Sequence, residues 1–351
     1  MTSRGGLAGS AQTDFMKPPP SLTIVMYHYV RELRRSRFPE IKGLDRALFV
    51  EQLGYLRRHH EIVRMEALIA ALRHHREGGG WELPANAALL TFDDGYADHF
   101  QQVFPLLDEL GVQGSFFPPA QVVIERRLLD VNRIHFVLAA VADKRGLADV
   151  ILKGVAEARE EFGLESPEAF YGRLAVASRM DPPEVIFIKR ALQTGLPPSL
   201  RARIAADLFR SHVSADEAAF ADELYMSLDQ VRCLVRHGMF VGSHSDSHPW
   251  LGSLEPAEQE AEVEAALRFL RLAGAPCEDW VMCYPYGDSN ESLRDILRAR
   301  GCAIGLTTHV DLAHAGDDPL LLPRLDTNDL PKSATAPPVG WTRKALRGVE
   351  V

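Results

Sequence analysis

Residues 87–96, with the sequence Ala-Ala-Leu-Leu-Thr-Phe-Asp-Asp-Gly-Tyr, indicate a buried strand that ends in two adjacent carboxylates. In α/β folds, active and binding sites are built at the C-terminal ends of strands. Adjacent strand residues point to opposite sides, so one of Asp93 and Asp94 can bind a cation while the other accepts a proton. Gly95 permits a sharp turn or a close backbone approach directly after the pair. On its own, Asp-Asp-Gly would also suit an ordinary turn.

A second polar stretch follows another apolar run later in the chain. Residues 239–241, Met-Phe-Val, precede residues 243–249, Ser-His-Ser-Asp-Ser-His-Pro. Pro249 disfavours a helical conformation at His248, which predicts a loop at a strand end. The neighbouring serines can orient the imidazoles of His244 and His248. The alternative is a polar surface loop in which two of the 13 histidines lie close together by chance.

Together the two stretches predict metal-assisted hydrolysis. One aspartate and two histidines form a facial set of three ligands, which leaves positions on a zinc-type ion open for water and substrate. The remaining aspartate is then free to act as a base.

Both stretches resemble motifs of the polysaccharide deacetylases, the NodB-homology group known as carbohydrate esterase family 4. Residues 91–96 resemble the first motif, Thr-Phe-Asp-Asp-Gly, and residues 243–249 resemble the second. The resemblance spans roughly residues 20–125 and 225–330, and two matched motifs are specific. Three supporting segments also resemble the family, namely Ile-Val-Met-Tyr-His at 24–28, Gly-Ser-Phe-Phe at 114–117 and Cys-Tyr-Pro-Tyr-Gly at 283–287.

The resemblance implies a fold, an activity and a set of site residues. The fold would be α/β, a distorted (β/α) barrel with its site at the C-terminal ends of the strands. Asp94, His244 and His248 would bind one divalent metal, in the first place zinc, although the ligand set also suits cobalt, nickel or iron. Asp93 would be the general base that deprotonates the metal-bound water. Such enzymes remove N-acetyl, sometimes O-acetyl, groups from sugars.

The third motif of the family departs from its usual form in this chain. The arginine that usually pairs with the catalytic aspartate is missing, and Cys283 or Tyr284 lies in its place. We hypothesise that Arg324 pairs with Asp93 instead and holds it ionised and oriented. The alternative is that Arg324 is an ordinary surface arginine.

The general acid and the walls of the pocket are assigned from the same part of the chain. His309 is the candidate acid, although its spacing differs by one residue from the Leu-x-His of the family, and His314 is the second choice. Tyr286 and Trp250 could form walls for a sugar ring. The alternatives are solvated loop positions for the histidines and ordinary packing for the aromatic residues.

Composition excludes several classes of protein. The chain has 351 residues, 39 basic and 48 acidic, and a net charge of −9. It has no basic patch with interleaved aromatic residues, which argues against nucleic acid as a partner, and the acidic balance disfavours an anionic membrane surface. No apolar run reaches the ~18 residues of a transmembrane segment.

The expected compartment is the cytoplasm. The four cysteines lack Cys-x-x-Cys spacing, which is typical of reduced thiols, and residues 1–20 lack the apolar core of a secretory signal. A cytoplasmic enzyme would meet a nucleotide-linked sugar, a lipid-linked intermediate or a growing glycan. The sequence specifies no oligomeric state.

The chain divides into a barrel and a helical insertion. After residue 125 the helical pattern dominates, which predicts an inserted cap over the site or, alternatively, a structural or dimerising subdomain. The predicted parts are a flexible tail at 1–20, a barrel at 21–125 and 226–330, a helical insertion at 126–225 and a loosely ordered tail at 331–351. Apolar residues at helical spacing predict helices at 45–60, with Asp45 as N-cap, and at 100–110, 134–142, 147–162, 167–178, 183–194, 200–208, 227–237, 256–272 and 291–300.

The leading hypothesis is a metal-dependent N-deacetylase of an amino sugar in surface-glycan assembly. A second hypothesis keeps the metal site but changes the amide to a formyl group or a cyclic ureide. A third is a degenerate, metal-free sugar-binding protein.

Overall fold

The computed structural model describes residues 21–178 and 181–346. The predicted flexible tail at 1–20 therefore lies outside the described residues. The strands are β1 Ser21–Tyr27, β2 Val30–Arg31, β3 Leu44–Asp45, β4 Glu61–Ile62, β5 Ala87–Asp93, β6 Ser115–Phe117, β7 Phe240–Val241, β8 Trp280–Cys283, β9 Cys302–Leu306, β10 Ala313–His314 and β11 Leu325–Asp326.

Helices surround these strands. They are α1 Arg46–His59, α2 Met65–Arg76, α3 Phe104–Glu109, α4 Ala120–Ile124, α5 Asp130–Ala140, α6 Lys144–Glu157, α7 Arg159–Phe162, α8 Pro167–Leu174, α9 Pro183–Arg190, α10 Pro198–His212, α11 Glu217–Leu224, α12 Leu228–Arg236, α13 Pro256–Ala273, α14 Glu291–Ala299 and α15 Gly340–Ala345. Among the described residues, none of these helices has both the length and the apolarity that crossing a bilayer requires.

Parallel strands form a distorted barrel. Strand β1 pairs with β5 on one side and with β11 on the other, and the path continues from β5 to β6 and β7. Strands β8 and β9 form a separate parallel pair. Two parallel bridges, Ser243 with Met282 and Leu306 with Leu322, join that pair to β7 and to the segment that leads into β11. The predicted α/β fold of the distorted-barrel type is thus confirmed.

Buried strands explain why the barrel forms here. Every residue of β1 and of β5 is buried, as expected for parallel strands covered on both faces. Tyr27, Phe92 and Phe116 lie in register across β1, β5 and β6. Their rings stack with centroid distances of 5.0 Å and 4.9 Å. This stack fixes the register just below the carboxylate pair that ends β5.

Local signals predicted several helices well. Asp45 caps α1 by accepting a hydrogen bond from the Ala47 amide, as its position suggested. The helix predicted at 100–110 begins instead with a π-helical turn at His99–Val103 before α3. Helices α13 and α14 begin at the predicted residues, Pro256 and Glu291.

Helices α5 to α11, here called the helical segment, lie between β6 and β7. The helix predicted at 147–162 is divided at Ala158 into α6 and α7. The prediction missed α11, a short helix capped by the Asp216 side chain. The limits predicted for the insertion, 126 and 225, remain a prediction.

The end of the described chain packs against the barrel. In α15, Thr342 is buried, and its hydroxyl accepts a hydrogen bond of 2.8 Å from Tyr55. The Gln52 side chain donates to the carbonyl of Thr327 at 2.8 Å. The expectation of a loosely ordered tail is therefore wrong for 331–346, and 347–351 lie outside the described residues.

Candidate active site

The C-terminal ends of several barrel strands meet at one rim. Asp93 ends β5, His28 follows β1 directly, and Cys283 ends β8. His244 lies three residues after β7. Because parallel strands all end at the same edge, residues far apart in sequence are close together here.

Asp94, His244 and His248 face one point. The Oδ1 atom of Asp94 is 3.3 Å from Nε2 of His244 and 3.4 Å from Nε2 of His248. All three residues are buried, and their ligand atoms lie within 4.8 Å of one another. The structure therefore brings the predicted metal ligands together.

The backbone around this point is strained. Asp94, Ser245, His248 and Tyr286 all have φ values near +60° to +70°, a region that non-glycine residues rarely adopt. Strain of this kind clusters at functional sites, where the surrounding structure holds it. Gly95 follows with φ of +70°, and a Cβ there would lie 2.6 Å from the Cβ of Pro118. The carboxylate pair thus needs a glycine behind it.

Hydrogen bonds hold the histidine loop in place. Glu262 on α13 accepts from the backbone amides of Asp246 and Ser247 at 2.9 and 3.0 Å. The amide of His248 donates to the Ser245 hydroxyl at 3.2 Å. The serines expected to orient the rings act through the backbone.

The donor set fits a transition metal. The Nδ1 atom of His244 lies 2.7 Å from the Cys283 carbonyl, which can only accept, so Nδ1 carries the hydrogen and Nε2 is left with its lone pair towards Asp94. Two acceptors facing each other in a buried place need a cation or a proton between them. Burial raises the pKa of a carboxyl, but protonated imidazoles at His244 and His248 would outweigh it and hold the pKa of Asp94 well below its usual value. A metal cation at this point would keep Asp94 ionised in the same way while leaving both imidazoles neutral.

A second cluster of Asp93, His244 and Cys283 also has possible ligand atoms close together. However, Asp93 already pairs with a fixed positive charge. Arg324 places its NH1 atom 2.9 Å from Oδ1 and its NH2 atom 2.8 Å from Oδ2 of this carboxylate. A cation bound to Asp93 would be repelled by the guanidinium. The set around Asp94 is therefore the better metal site.

Arg324 is fully buried and fixed from three sides. Besides Asp93, its guanidinium donates to the Thr91 hydroxyl at 3.1 Å and to the Thr307 carbonyl at 2.8 Å. Burial would raise the pKa of Asp93, but Arg324 outweighs burial and holds the pKa below its usual range. The structure thus places Arg324 where the missing arginine of the third motif was expected to act.

Comparison with known proteins agrees with this geometry. The profile of the family described as polysaccharide deacetylase matches residues 82–143 and 203–305, which include both aspartates and both histidines. The chain thus matches the polysaccharide deacetylase family over somewhat less than half of its length. Its match is interrupted within the helical segment, and His28 and Arg324 lie outside the matched residues. No sequence among the curated proteins matches the chain.

Solved deacetylases share the fold. The deacetylase PplD of Streptococcus pyogenes, in complex with acetate, is 16% identical, with 88% of this chain and 92% of that chain covered and a TM-score of 0.51. IcaB from Ammonifex degensii is 19% identical, with 94% and 97% covered and a TM-score of 0.51. At these identities the likeness shows the fold alone, and it agrees with the distorted barrel described above.

A buried polar network connects Asp94 to the helical segment. Tyr96 donates to Oδ2 of Asp94 at 2.5 Å. Asn132 on α5 is fully buried and donates to the hydroxyls of Tyr96 and Tyr29 at 2.8 and 2.7 Å, while Tyr225 donates to the Asn132 carbonyl oxygen. Burial and the Asp94 carboxylate raise the pKa of Tyr96 well above its usual value, so its phenol stays protonated. Sequence reasoning missed this network.

The histidines considered as general acid lie in different places. His28, which the sequence analysis did not assign, has Nε2 4.0 Å from Oδ2 of Asp93. His309 is exposed, at the same rim beyond β9. His314 pairs with Ser21 at the opposite end of β1. Since a strand rises about 3.3 Å per residue, His314 is roughly 20 Å from the rim and is wrong as a second choice for the acid. The position of His28 directly after a strand was the signal that could have identified it.

A cavity of about 810 Å³, here called the site cavity, lies between the barrel and the helical segment. His248, Trp250 and Tyr286 are in its wall. The rings of Trp250 and Tyr286 stack at 4.4 Å, and Tyr286 meets His248 edge to face at 4.8 Å. The buried indole Nε1 of Trp250 donates to no residue that the structure describes. Both predicted wall residues therefore line a cavity that reaches one of the candidate metal ligands, His248.

Proposed function

We propose that this protein is a metal-dependent hydrolase that removes an N-acetyl group from an amino sugar of a surface glycan or of its precursor. The observation that carries the proposal is the convergence of Asp94, His244 and His248 beside an aspartate held by Arg324. A metal ion bound there, in the first place zinc, with cobalt, nickel or iron as alternatives, would polarise the acyl carbonyl and lower the pKa of a bound water.

The surrounding side chains then handle the protons. Asp93, kept ionised by Arg324, accepts a proton from the attacking water. The amine that leaves is a poor leaving group until it is protonated, and His28 is close enough to Asp93 to supply that proton on the same side of the site. His309 stays a prediction as the alternative donor.

The wall of Trp250 and Tyr286 gives an apolar face on which a sugar ring can lie. We propose that the enzyme works in the cytoplasm on a nucleotide-linked, lipid-linked or growing glycan.

The test combines metal analysis with detection of the released acid. The purified protein is reconstituted with zinc or cobalt and analysed beside His244→Ala, with His212→Ala, an exposed histidine at the end of α10, as the matched control. We expect about one metal per chain in the protein and in the control, and loss of the metal in His244→Ala. Acetate and formate are measured in parallel on N-acetylated and N-formylated amino sugars.

Each outcome decides between the hypotheses. Acetate released only by the metal-loaded protein and its control supports the proposed deacetylase. Formate in place of acetate moves the activity to deformylation. A protein that takes up no metal and binds an N-acyl sugar without turnover, unaffected by chelator, is a sugar-binding protein, and the proposal is then wrong.

A second comparison assigns the general acid. We expect His28→Ala to lower kcat by about 10²-fold or more while the metal content stays at the wild-type value, because the proton donor is lost. In His309→Ala kcat should stay close to the wild-type value. The reverse result would give the role to His309.

A further inference from the structure

Charged side chains from three parts of the chain line the site cavity. Three arginines, Arg127, Arg133 and Arg201, and two aspartates, Asp130 and Asp288, are in its wall. A wall with more basic than acidic side chains is unusual in a protein whose net charge is −9. The cations therefore need an explanation.

Arg133 is already paired inside the protein. It donates to Asp130 at 2.6 Å and to Glu217 at 2.5 Å, so its charge is used in holding α5 to α11. Asp288 accepts a hydrogen bond of 2.7 Å from the Gly252 amide. These groups have structural partners.

Arg127 and Arg201 differ from Arg133. Neither guanidinium forms a hydrogen bond or an ion pair with any residue that the structure describes. Arg127 is exposed just before the helical segment, and Arg201 is half-buried on α10. Burial raises the pKa of the nearby Tyr286 phenol, and Arg201 is close enough to oppose that effect. One free guanidinium thus lies beside the aromatic wall of the cavity.

A neutral N-acetyl sugar offers these cations hydrogen-bond acceptors but no opposite charge. Its recognition needs hydrogen bonds and an apolar wall, which Trp250 and Tyr286 already supply. A guanidinium is always charged, and its planar set of N–H donors matches the oxygens of phosphate. Two free guanidiniums from separate segments suit an anion with several charged oxygens. The volume of about 810 Å³ is in the upper part of the range for small-molecule sites and has room for more than one sugar ring.

We propose that Arg127 and Arg201 form a phosphate subsite, so that the substrate is an N-acetylated sugar carrying a phosphate or diphosphate. This inference rests on the proposed function for the sugar, and the subsite itself is testable by binding alone. The phosphate can belong to a nucleotide-linked or to a lipid-linked sugar, since both present the same charged oxygens.

The experiment measures binding by titration calorimetry with defined probes. They are N-acetylglucosamine, N-acetylglucosamine 1-phosphate, the uridine diphosphate sugar, a short polyprenyl diphosphate sugar and a disaccharide of N-acetylglucosamine and a uronic acid. The proteins are the wild type, the double variant Arg127→Gln/Arg201→Gln and the control Arg203→Gln. Arg203 is exposed on the same helix, two positions from Arg201, and is not in the cavity wall.

We expect the phosphorylated sugars to bind the wild type and the Arg203→Gln control about tenfold or more tightly than the neutral sugar. That preference should disappear in the double variant and weaken with added salt. Since Arg127 and Arg201 are accessible, the double variant should unfold at the wild-type temperature, and Arg201→Lys should retain part of the preference because it keeps the charge. Comparing the affinities of the uridine diphosphate sugar and the polyprenyl diphosphate sugar shows whether the phosphate belongs to a nucleotide or to a lipid. Tighter binding of one or the other supports the subsite.

Equal affinity for neutral and phosphorylated sugars, or a preference that survives in the double variant, would overturn the inference. Preference for the uronic acid probe would also overturn it and assign a carboxylate instead. If a sugar phosphate binds through the arginines but no acid is released, the subsite stands and the proposed function fails. If neutral glycans are deacetylated and the arginines have no effect, the proposed function stands and the subsite fails.

Discussion

The strand ends of the barrel and the helical segment contribute to the candidate site in different ways. At the strand ends, Asp93, Asp94, His244 and His248 lie in short motifs directly after buried strands. From the helical segment, Asn132 reaches the site only through the hydroxyl of Tyr96, and it belongs to no motif. The difference teaches that sequence reveals groups positioned by local chain geometry, whereas groups positioned by tertiary packing need the structure.

The largest expected effect separates the two adjacent carboxylates. Asp94→Asn should lose the metal and lower kcat/KM by about a thousandfold or more, because the metal supplies several kcal/mol of transition-state stabilisation. Asp93→Asn should keep the metal and lower kcat by about 10²- to 10⁴-fold, because only the base is lost. Elemental analysis and acetate release check both. Metal lost equally in both variants would show that the carboxylates share one role.

The next largest effect is expected when Arg324 is replaced. Arg324→Ala leaves a buried carboxylate without its partner, which should lower the free energy of unfolding by about 3–5 kcal/mol. It should also reduce kcat, since Asp93 is no longer held ionised and oriented. Arg324→Lys keeps the charge and should recover part of both quantities. Urea unfolding and acetate release are the measurements, and unchanged turnover in Arg324→Ala would contradict the role.

The contact between Arg324 and Asp93 shows what the sequence can predict at long range. The two residues are 231 positions apart, and they meet because β11 pairs with β1, which pairs with β5. The pair was predicted because this chain resembles a family whose third motif carries an arginine, and the chain lacks an arginine at that place. The same reasoning failed for His314, because β10 runs antiparallel and returns this residue to the far end of β1.

His28 and Asn132 were missed for different physical reasons. His28 lies directly after a correctly predicted strand, so the rule that sites follow strand ends could have selected it. Asn132 has its polar groups satisfied by Tyr29, Tyr96 and Tyr225, which come from separate parts of the chain. No periodicity or spacing encodes such a contact, since it depends on how the helical segment packs against the barrel.

A smaller effect on metal affinity is expected from the network that links the helical segment to Asp94. Tyr96→Phe removes the hydroxyl that donates to Asp94 and should weaken metal affinity by about 10- to 100-fold, as loss of a hydrogen bond to a metal ligand typically does. Tyr225→Phe is the matched control, because its hydroxyl touches Asn132 and not Asp94. Competition with a chromogenic chelator measures the affinity. An equal loss in both variants would mean that the network only stabilises the fold.

The smallest effect on the site is expected at the ion pairs of Asp181, which has no direct contact with the candidate ligands. Asp181, just before α9, is nearly buried and accepts from Lys189 at 2.8 Å and from Lys42, which precedes β3. Burial would raise the pKa of Asp181, but Lys189 and Lys42 outweigh it and lower the pKa below its ordinary value. The pKa of Asp181 is therefore lower in the folded state than in the unfolded state, where it is about 4. The ionised carboxylate and its lysines stabilise the fold fully above that unfolded value. This stabilisation is lost as the pH falls through the folded pKa.

Asp181→Asn should therefore lower the free energy of unfolding at pH 7 by about 1–3 kcal/mol while leaving metal affinity at the wild-type value. The difference from wild type should shrink below about pH 4, because the wild-type carboxyl then takes up its proton. Urea unfolding from pH 7 to about pH 3 follows this change. Asp149→Asn, an exposed carboxylate paired with Arg145 on α6, is the control and should cost less than about 1 kcal/mol. If metal affinity also falls in Asp181→Asn, the two roles of the helical segment are not separate. The ion pairs of Asp181 would then help to hold Asn132 in the position from which it supports Asp94 through Tyr96.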